Sequence, residues 1–294
     1  SDLGPDLTGW SFWWEFNKDP YLNLKDAIRS VSVQSRTDEW FLGHGEKEAA
    51  RDNLAPTRTQ IRETIVPALE YALAHETNND IVTGALIALA KIGDVKSEAG
   101  TSRFEGLIRP FLQDGNQEIR ETAALALGIL ANPASIPLLI DLLQDSPAGR
   151  KAVGKTQVDA RTRAFSAYSL VLVGYRSRAA ERVQIVDALV AVLDSDRSST
   201  RDLSVACLLA LGLVPVVEIA PLPEETGSEA AGAERQPRPS SSRTAQIEYL
   251  LAYFEDDTKN FLSRAHSPTS IVRLMRELPT AELDVFKARV APVF

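Results

Sequence analysis

The stretch at 118–128, EIRETAALALG, decides the fold because it recurs along the chain. Three stretches align with it without gaps: DIVTGALIALA at 80–90, DARTRAFSAYS at 159–169 and STRDLSVACLL at 199–209. The copies follow one another at a period of about 40 residues. A fifth copy, LSRAHSPTSIV at 262–272, comes later because an insertion precedes it. Each copy has small and apolar residues at helical spacing, which predicts a helix in each repeat.

A second amphipathic helix is predicted before each copy. Apolar residues recur there at intervals of three and four, as at Ile136, Leu139, Ile140 and Leu143. These preceding helices are predicted at 59–74, 102–114, 134–145, 179–194 and 244–256. Helix pairs that repeat at this period indicate an α-solenoid, in which each repeat contacts only its neighbours.

The repeated stretches vary around one pattern: an acidic residue, an aliphatic residue, an arginine, two spacers and then an Ala-rich helix. This order, clearest in EIRETAALALG, resembles the second helix of HEAT repeats. The resemblance covers approximately residues 57–277. It implies an all-α fold, a right-handed α-solenoid of about five HEAT-like helix pairs. We expect a last helix near 280–290 to close the array.

Aromatic residues crowd the segment TGWSFWWEFNKDPYLNLKDAI at 8–28. A cap on the solenoid, a binding site for a ligand or partner, and a membrane anchor are the competing interpretations. We interpret Trp10, Trp13 and Trp14 as a cap, because a terminal repeat must cover an otherwise open apolar face. The near-balanced charges of the segment give no cationic face for a membrane. The predicted domains are therefore a capping segment and loop at 1–56 and a repeat array at 57–294.

This opening also resembles a group of poorly characterised bacterial HEAT-repeat proteins. The resemblance rests on WWEFNKDPYLNLK and on the later EWFLGHGE at 39–46, which contains His44. It implies a bacterial protein, exported to the periplasm or the exterior, with a cytoplasmic location as the alternative. It brings no known activity.

The segment at 215–243 is rich in Pro, Glu, Ser, Gly and Ala, a composition that cannot support a packed core. We expect it to be a flexible insertion that displaces the fifth copy. A tolerated solenoid loop and a docking arm are both compatible with this composition.

Four arginines occupy the same position in successive copies, Arg120, Arg161, Arg201 and Arg264. They predict a structural ladder in which each arginine pairs with an acidic residue of a neighbouring repeat, such as Glu118 or Asp159. This pairing is what the HEAT resemblance implies. A cationic stripe for an anionic partner is the alternative.

The stretch GRKAVGKT at 149–156 matches the phosphate-binding pattern G-x-x-x-x-G-K-[ST]. That pattern has meaning only between a β-strand and a helix, and the preceding SIPLLIDLLQD has helical periodicity. We interpret the match as chance and the stretch as a flexible basic connection. Basic residues crowd residues 149–182, so, if charge guides binding, an acidic protein or a phosphorylated ligand would be steered here. The predicted contact residues are Arg150, Lys151, Lys155, Arg163, Arg176 and Arg178. The alternative is a solvated loop with helix termini whose arginines pair with acidic residues of adjacent repeats.

Charge and composition exclude several functions. The net charge of −8 disfavours nucleic acid as a partner, and no apolar run is long enough to span a membrane. The histidines His44, His75 and His266 are dispersed, and Cys207 lies among apolar residues, as a core position does. Only His75-Glu76 forms a His-Glu pair, whereas deoxyhypusine hydroxylase, a HEAT-type enzyme, repeats that pair to bind iron. We therefore predict no catalytic residue, metal or cofactor.

The sequence favours a non-enzymatic scaffold or adaptor that binds a protein partner on the solenoid surface. The alternative is an enzyme or a small-molecule-binding protein, with its site in the groove or near the N-terminal aromatic residues. Converging polar groups in a pocket would favour that alternative. The identity of the partner and the oligomeric state do not follow from the sequence.

Overall fold

The computed structural model describes residues 56–94, 102–195, 201–216, 238–276 and 278–290. The predicted cap with Trp10, Trp13 and Trp14 and the loop with His44 lie outside these residues. The chain divides into two units, Ser1–Pro67 and Ala68–Phe294. In the first unit, the described residues begin a helix at Arg58–Gln60, which continues through a π-helical stretch at Ile61–Ile65.

The following helices alternate between first and second helices of the predicted repeats. The first helices are α1 (Val66–His75), α3 (Arg103–Ile108), α5 (Ile136–Leu143), α8 (Ala179–Ser195) and α10 (Arg243–Glu255). The second helices are α2 (Asn79–Ile92), α4 (Gln117–Leu130), α7 (Ala160–Gly174), α9 (Asp202–Leu211) and α12 (Ser267–Met275). Shorter or terminal helices are α6 (Pro147–Val153), α11 (Phe261–Arg264) and α13 (Thr280–Val290), and 3-10 turns lie at Arg109–Gln113 and Pro133–Ser135.

Polar side chains set the starts of these helices. The Asn78 side chain accepts hydrogen bonds from the N–H groups of Asp80 and Ile81, and Asn116 accepts one from Glu118. These bonds satisfy N–H groups that have no partner inside the helix. The second helices α2 and α4 therefore both begin one residue before the acidic residue of the repeat pattern.

The second helices pack against one another in chain order. Contacts join α2 to α4, α4 to α7, α7 to α9 and α9 to α12, while α5 packs against α7 and α8. This nearest-neighbour order is the packing of a solenoid. The described residues contain no β-strand and include five first and five second helices, so the predicted all-α, solenoid-like fold is confirmed. The predicted last helix is α13.

The core consists of aliphatic side chains from both kinds of helix. Fully buried examples are Leu86, Leu89, Leu127, Leu139, Leu142, Leu170, Leu189, Leu208, Leu250 and Ile271. Cys207 is also fully buried and forms no disulfide, as expected for a core position.

A glycine permits the close approach of α4 and α7. A Cβ on Gly128 would lie 2.5 Å from the Cα of Ser169, and the Ser169 hydroxyl donates to the Ala124 carbonyl at 2.8 Å. Helices α9 and α12 repeat the arrangement: a Cβ on Gly212 would lie 2.5 Å from the Cα of Ser270. These helices pack backbone to backbone, so no side chain fits between them.

Two local expectations are wrong. The basic stretch after α5 is the helix α6 rather than a flexible connection: Ser146 caps its first turn, Pro147 takes an early position, and Gly154 ends it with φ 64°. The fifth copy is not one helix. It breaks between α11 and α12, because Pro268 suits only the first turn of a helix.

The insertion predicted at 215–243 is described only at its two ends. Val216 is buried, and its N–H donates to Oε1 of Gln246 in α10 at 2.8 Å. The chain is described again from Arg238, and Ser242 caps α10. Residues 217–237 lie outside the described residues.

Candidate functional site

The basic residues that the sequence grouped together lie at two ends of α7. Arg150 and Lys151 belong to α6, and Lys155 follows it, before α7 begins. Arg176 and Arg178 come after the other end of α7. A helix of 15 residues is about 22 Å long. The structure therefore divides the predicted contact residues into two surfaces.

The stretch that matches the phosphate-binding pattern cannot form a phosphate-binding loop in this conformation. Gly149 is buried inside α6, and a Cβ there would collide with the Asp141 carbonyl. The amides that would cradle a phosphate lie within helical turns, and the N–H of Gly154 bonds to carbonyls of α6. The glycines of this stretch serve helix packing and helix termination.

Two of the three cations before α7, Arg150 and Lys155, are already paired with carboxylates. Arg150 donates to both oxygens of Asp145 at 3.0 and 2.8 Å, and Lys155 lies 3.1 Å from Oδ2 of Asp159. Burial by itself would raise the pKa of Asp145, but hydrogen bonds from Arg150 and the Val158 N–H hold that pKa below its usual value. The charges of Arg150 and Lys155 are therefore compensated within the chain.

Arg163 has an internal partner as well. Its Nε donates to the Leu143 carbonyl at the end of α5, at 2.8 Å. Arg264 makes the corresponding bond to the Phe254 carbonyl at 2.6 Å, although Arg264 is in the ladder position and Arg163 is two residues beyond it. Arginines at different positions of the repeat therefore donate to equivalent carbonyls at the end of a first helix.

Two ladder arginines form reciprocal ion pairs between α4 and the start of α7. Nη2 of Arg120 lies 2.6 Å from Oδ2 of Asp159, and Nη2 of Arg161 lies 3.0 Å from Oε2 of Glu121. Nη1 of Arg120 also donates to the carbonyls of Asp114 and Gly115 at 2.7 and 3.0 Å. One partner of each pair is almost fully buried, because the side chains of Arg120 and Glu121 are each 4% exposed.

The other two ladder arginines differ. Arg264 pairs with Asp257 of its own repeat at 2.5 Å, and Arg201 is exposed just before α9. The contribution of the ladder to stability stays a prediction.

A groove of about 890 Å³ lies where four second helices end. We call it the arginine groove. Its lining comes from the ends of α4, α7, α9 and α12 and the start of α8: Gly128, Ile129, Ala131, Val171, Leu172, Tyr175, Arg176, Arg182, Gly212, Leu213, Pro215, Arg273, Leu274 and Arg276. Pro133, Pro215 and Pro279 follow three of these ends within a few residues, where a helix cannot continue.

The arginine groove combines exposed apolar side chains with cations. Leu172 and Leu213 are each 39% exposed, and Tyr175 is 78% exposed. Arg182 ties two repeats together, because it donates to the carbonyls of Gly174 at 3.0 Å and Pro215 at 3.4 Å. Arg176, Arg273 and Arg276 have no described carboxylate within ion-pair distance.

Of the contact residues predicted from the sequence, only Arg176 lines this groove. Sequence reasoning missed Arg273, Arg276 and Tyr175, because it compared the starts of the repeats and not their ends. An alignment of the ends would have shown VLVGYR at 171–176 and IVRLMR at 271–276, each closing on an arginine.

A second hollow of about 760 Å³ lies along α3, α5 and α6. It is lined by Arg109, Gln113, Asp141 and Lys151, together with small and apolar residues. Opposite charges face one another there, because Asp141 lines the same hollow as Arg109 and Lys151.

The part of the chain that the structure describes holds no group of three or more His, Cys, Asp or Glu side chains that could bind a metal ion. None of its helices combines the length and the apolar character that a membrane crossing requires.

A family model described as HEAT repeats matches residues 98–154. The matched range runs from α3 through α4 and α5 to α6, and it includes the copy EIRETAALALG. A search of curated proteins finds no match for the chain. HEAT repeats commonly mediate protein–protein interactions. The family match confirms the resemblance over residues 98–154: this part of the chain, which contains EIRETAALALG, is similar to HEAT repeats.

Proposed function

We propose that this chain is a non-enzymatic scaffold that binds a protein partner at the arginine groove. The observation that carries the proposal is that the groove is built from the ends of four consecutive second helices. A surface that runs across several repeats suits an extended segment of a partner, which is how solenoids offer their surfaces.

The composition of the groove supports binding over catalysis. An enzyme site needs a nucleophile or a general acid and base in mutual reach. The described residues that line the arginine groove include no Asp, Glu, His, Cys, Ser or Thr, and Tyr175 is exposed to solvent. Arginine stays protonated in proteins and serves poorly as a general base.

The test compares two variants that each lose three cations. One variant replaces Arg176, Arg273 and Arg276 in the groove by Ser, and the other replaces Arg150, Lys151 and Lys155 before α7 by Ser. A partner is captured from the source organism, purified, and titrated by calorimetry against the wild-type chain and both variants. We expect a defined stoichiometry with the wild type, binding at least ten times weaker for the groove variant, and less than a threefold change for the other.

Two results would contradict the proposal. One is the absence of any protein that rebinds the purified chain. The other is a loss of binding that is confined to the variant of Arg150, Lys151 and Lys155, which would move the partner to the surface before α7.

A further inference from the structure

We propose that the arginine groove binds an acidic peptide segment of the partner, in which aliphatic side chains are interspersed among carboxylates. This inference deepens the proposed function and rests on it. It assigns the chemistry of the ligand to the residues that line the groove, independently of which protein carries the segment.

The positive charges of the groove favour a ligand that carries carboxylates. Among the residues that the structure describes, four arginines line it and no acidic residue does. The whole chain carries a net charge of −8, so this concentration of cations is local. Arginine binds carboxylates through paired N–H groups, which fixes orientation as well as charge. Acidic side chains of a partner would complement Arg176, Arg273 and Arg276, which no described carboxylate does.

The apolar residues of the groove favour a ligand that also carries aliphatic side chains between those carboxylates. Leu172 and Leu213 leave more than a third of their surface exposed beside the arginines, and Ile129 and Leu274 line the same groove. Covering exposed leucines removes apolar surface from water, which stabilises a complex. A segment with only polar and acidic side chains would leave the apolar surface of these leucines exposed to water.

The basic surface before α7 and the hollow along α3, α5 and α6 do not combine uncompensated cations with exposed apolar side chains. Arg150 and Lys155 already face Asp145 and Asp159, and the hollow with Lys151 contains Asp141. The net charge of −8 opposes the approach of a long polyanion such as a nucleic acid. A short acidic segment meets only the local field of the groove, which makes it the favoured ligand.

The spacing of the helices sets the length of the segment. Neighbouring packed helices lie about 8–10 Å apart, so four helix ends extend over roughly 25–30 Å. An extended peptide rises about 3.3 Å per residue, so a segment of about nine residues spans the groove.

The probe is a fluorescein-labelled nonapeptide with three repeats of Glu-Glu-Leu. We expect fluorescence anisotropy to show saturable binding to the full chain at low salt, weakened severalfold as NaCl rises from 50 to 300 mM. The variant with Arg176, Arg273 and Arg276 replaced by Ser should bind at least ten times more weakly. The variant with Arg150, Lys151 and Lys155 replaced by Ser, which loses the same charge, should stay within threefold of the wild type.

A second pair of measurements isolates the apolar contribution. Replacing Leu172 and Leu213 by Ser should weaken the Glu-Glu-Leu peptide at least threefold. The same replacement should leave the weaker binding of a Glu-Glu-Ser peptide unchanged. Melting curves of each variant show that it is folded before its binding is compared.

Several outcomes would overturn the inference. These are equal binding of a Lys-Lys-Leu peptide, equal loss in both triple variants, or binding only to phosphatidylserine vesicles or single-stranded DNA. A groove variant that melts lower but binds the peptide normally would show that the arginines serve only the helix ends. If the purified partner still binds at the groove while acidic peptides do not, the scaffold function stands and the ligand chemistry is wrong.

Discussion

Replacing Arg120 by Met is expected to lower the free energy of unfolding by about 3 kcal/mol. The guanidinium is 4% exposed and bonds to Asp159 and to the carbonyls of Asp114 and Gly115. Met fills much of the volume but leaves a partly buried carboxylate and two carbonyls without this donor. Unmet buried polar groups cost more than the bond itself gains. Urea unfolding followed by circular dichroism measures the change.

Lys155 supplies the matched control, because it pairs with the same oxygen of Asp159 from an exposed position. Replacing Lys155 by Met should cost less than about 1 kcal/mol, the usual value of an exposed ion pair. Burial by itself would raise the pKa of Asp159, but the bonds from Arg120 and Lys155 hold that pKa below its usual value. If both variants lose the same small amount, the buried arginine has no special structural role.

Replacing Gly128 by Ala should destabilise the protein by about 2 kcal/mol, although alanine is the better helix former. The new Cβ would lie 2.5 Å from the Cα of Ser169 and 2.6 Å from its Cβ, so α4 and α7 must move apart. That movement also strains the bond from the Ser169 hydroxyl to the Ala124 carbonyl. Thermal or urea unfolding measures the loss.

Replacing Gly84 by Ala should change the free energy of unfolding in the opposite direction. Gly84 lies inside α2, and a Cβ there would meet nothing within 4 Å. Alanine should therefore stabilise the protein by about 0.5–1 kcal/mol, through the lower conformational entropy of the unfolded chain. Equal effects of Ala at 84 and 128 would contradict the backbone contact between α4 and α7.

The sequence predicted the second helices well because their information is local. Asn78 and Asn116 precede an acidic residue and a run of small apolar residues, which together mark the start and the buried face of a helix. The period of these starts was enough to predict a solenoid. The residues Ser146, Pro147 and Gly154 are typical of the start and the end of a helix, so α6 could have been predicted from the sequence. The stretch GRKAVGKT was instead compared with a phosphate-binding loop.

The candidate site could not be predicted in the same way. Its residues come from the ends of four helices that are far apart in sequence, and their meeting depends on helix length and packing. Charge along the chain grouped Arg150 with Arg176, yet α7 separates them. The sequence also could not tell which cations are compensated, because Asp145 and Asp159 reach Arg150 and Lys155 only in the folded chain.

Site-specific photo-crosslinking tests the central claim, that a protein partner binds at the arginine groove, most directly. Benzoylphenylalanine would replace Tyr175 in the groove or, as the control, Tyr71, an exposed tyrosine of α1. We expect one discrete crosslinked protein from position 175 in the source organism and none from position 71. The crosslink from position 175 should disappear when Arg176, Arg273 and Arg276 are replaced by Ser. Crosslinking of the same protein from position 71 but not from 175 would contradict this claim.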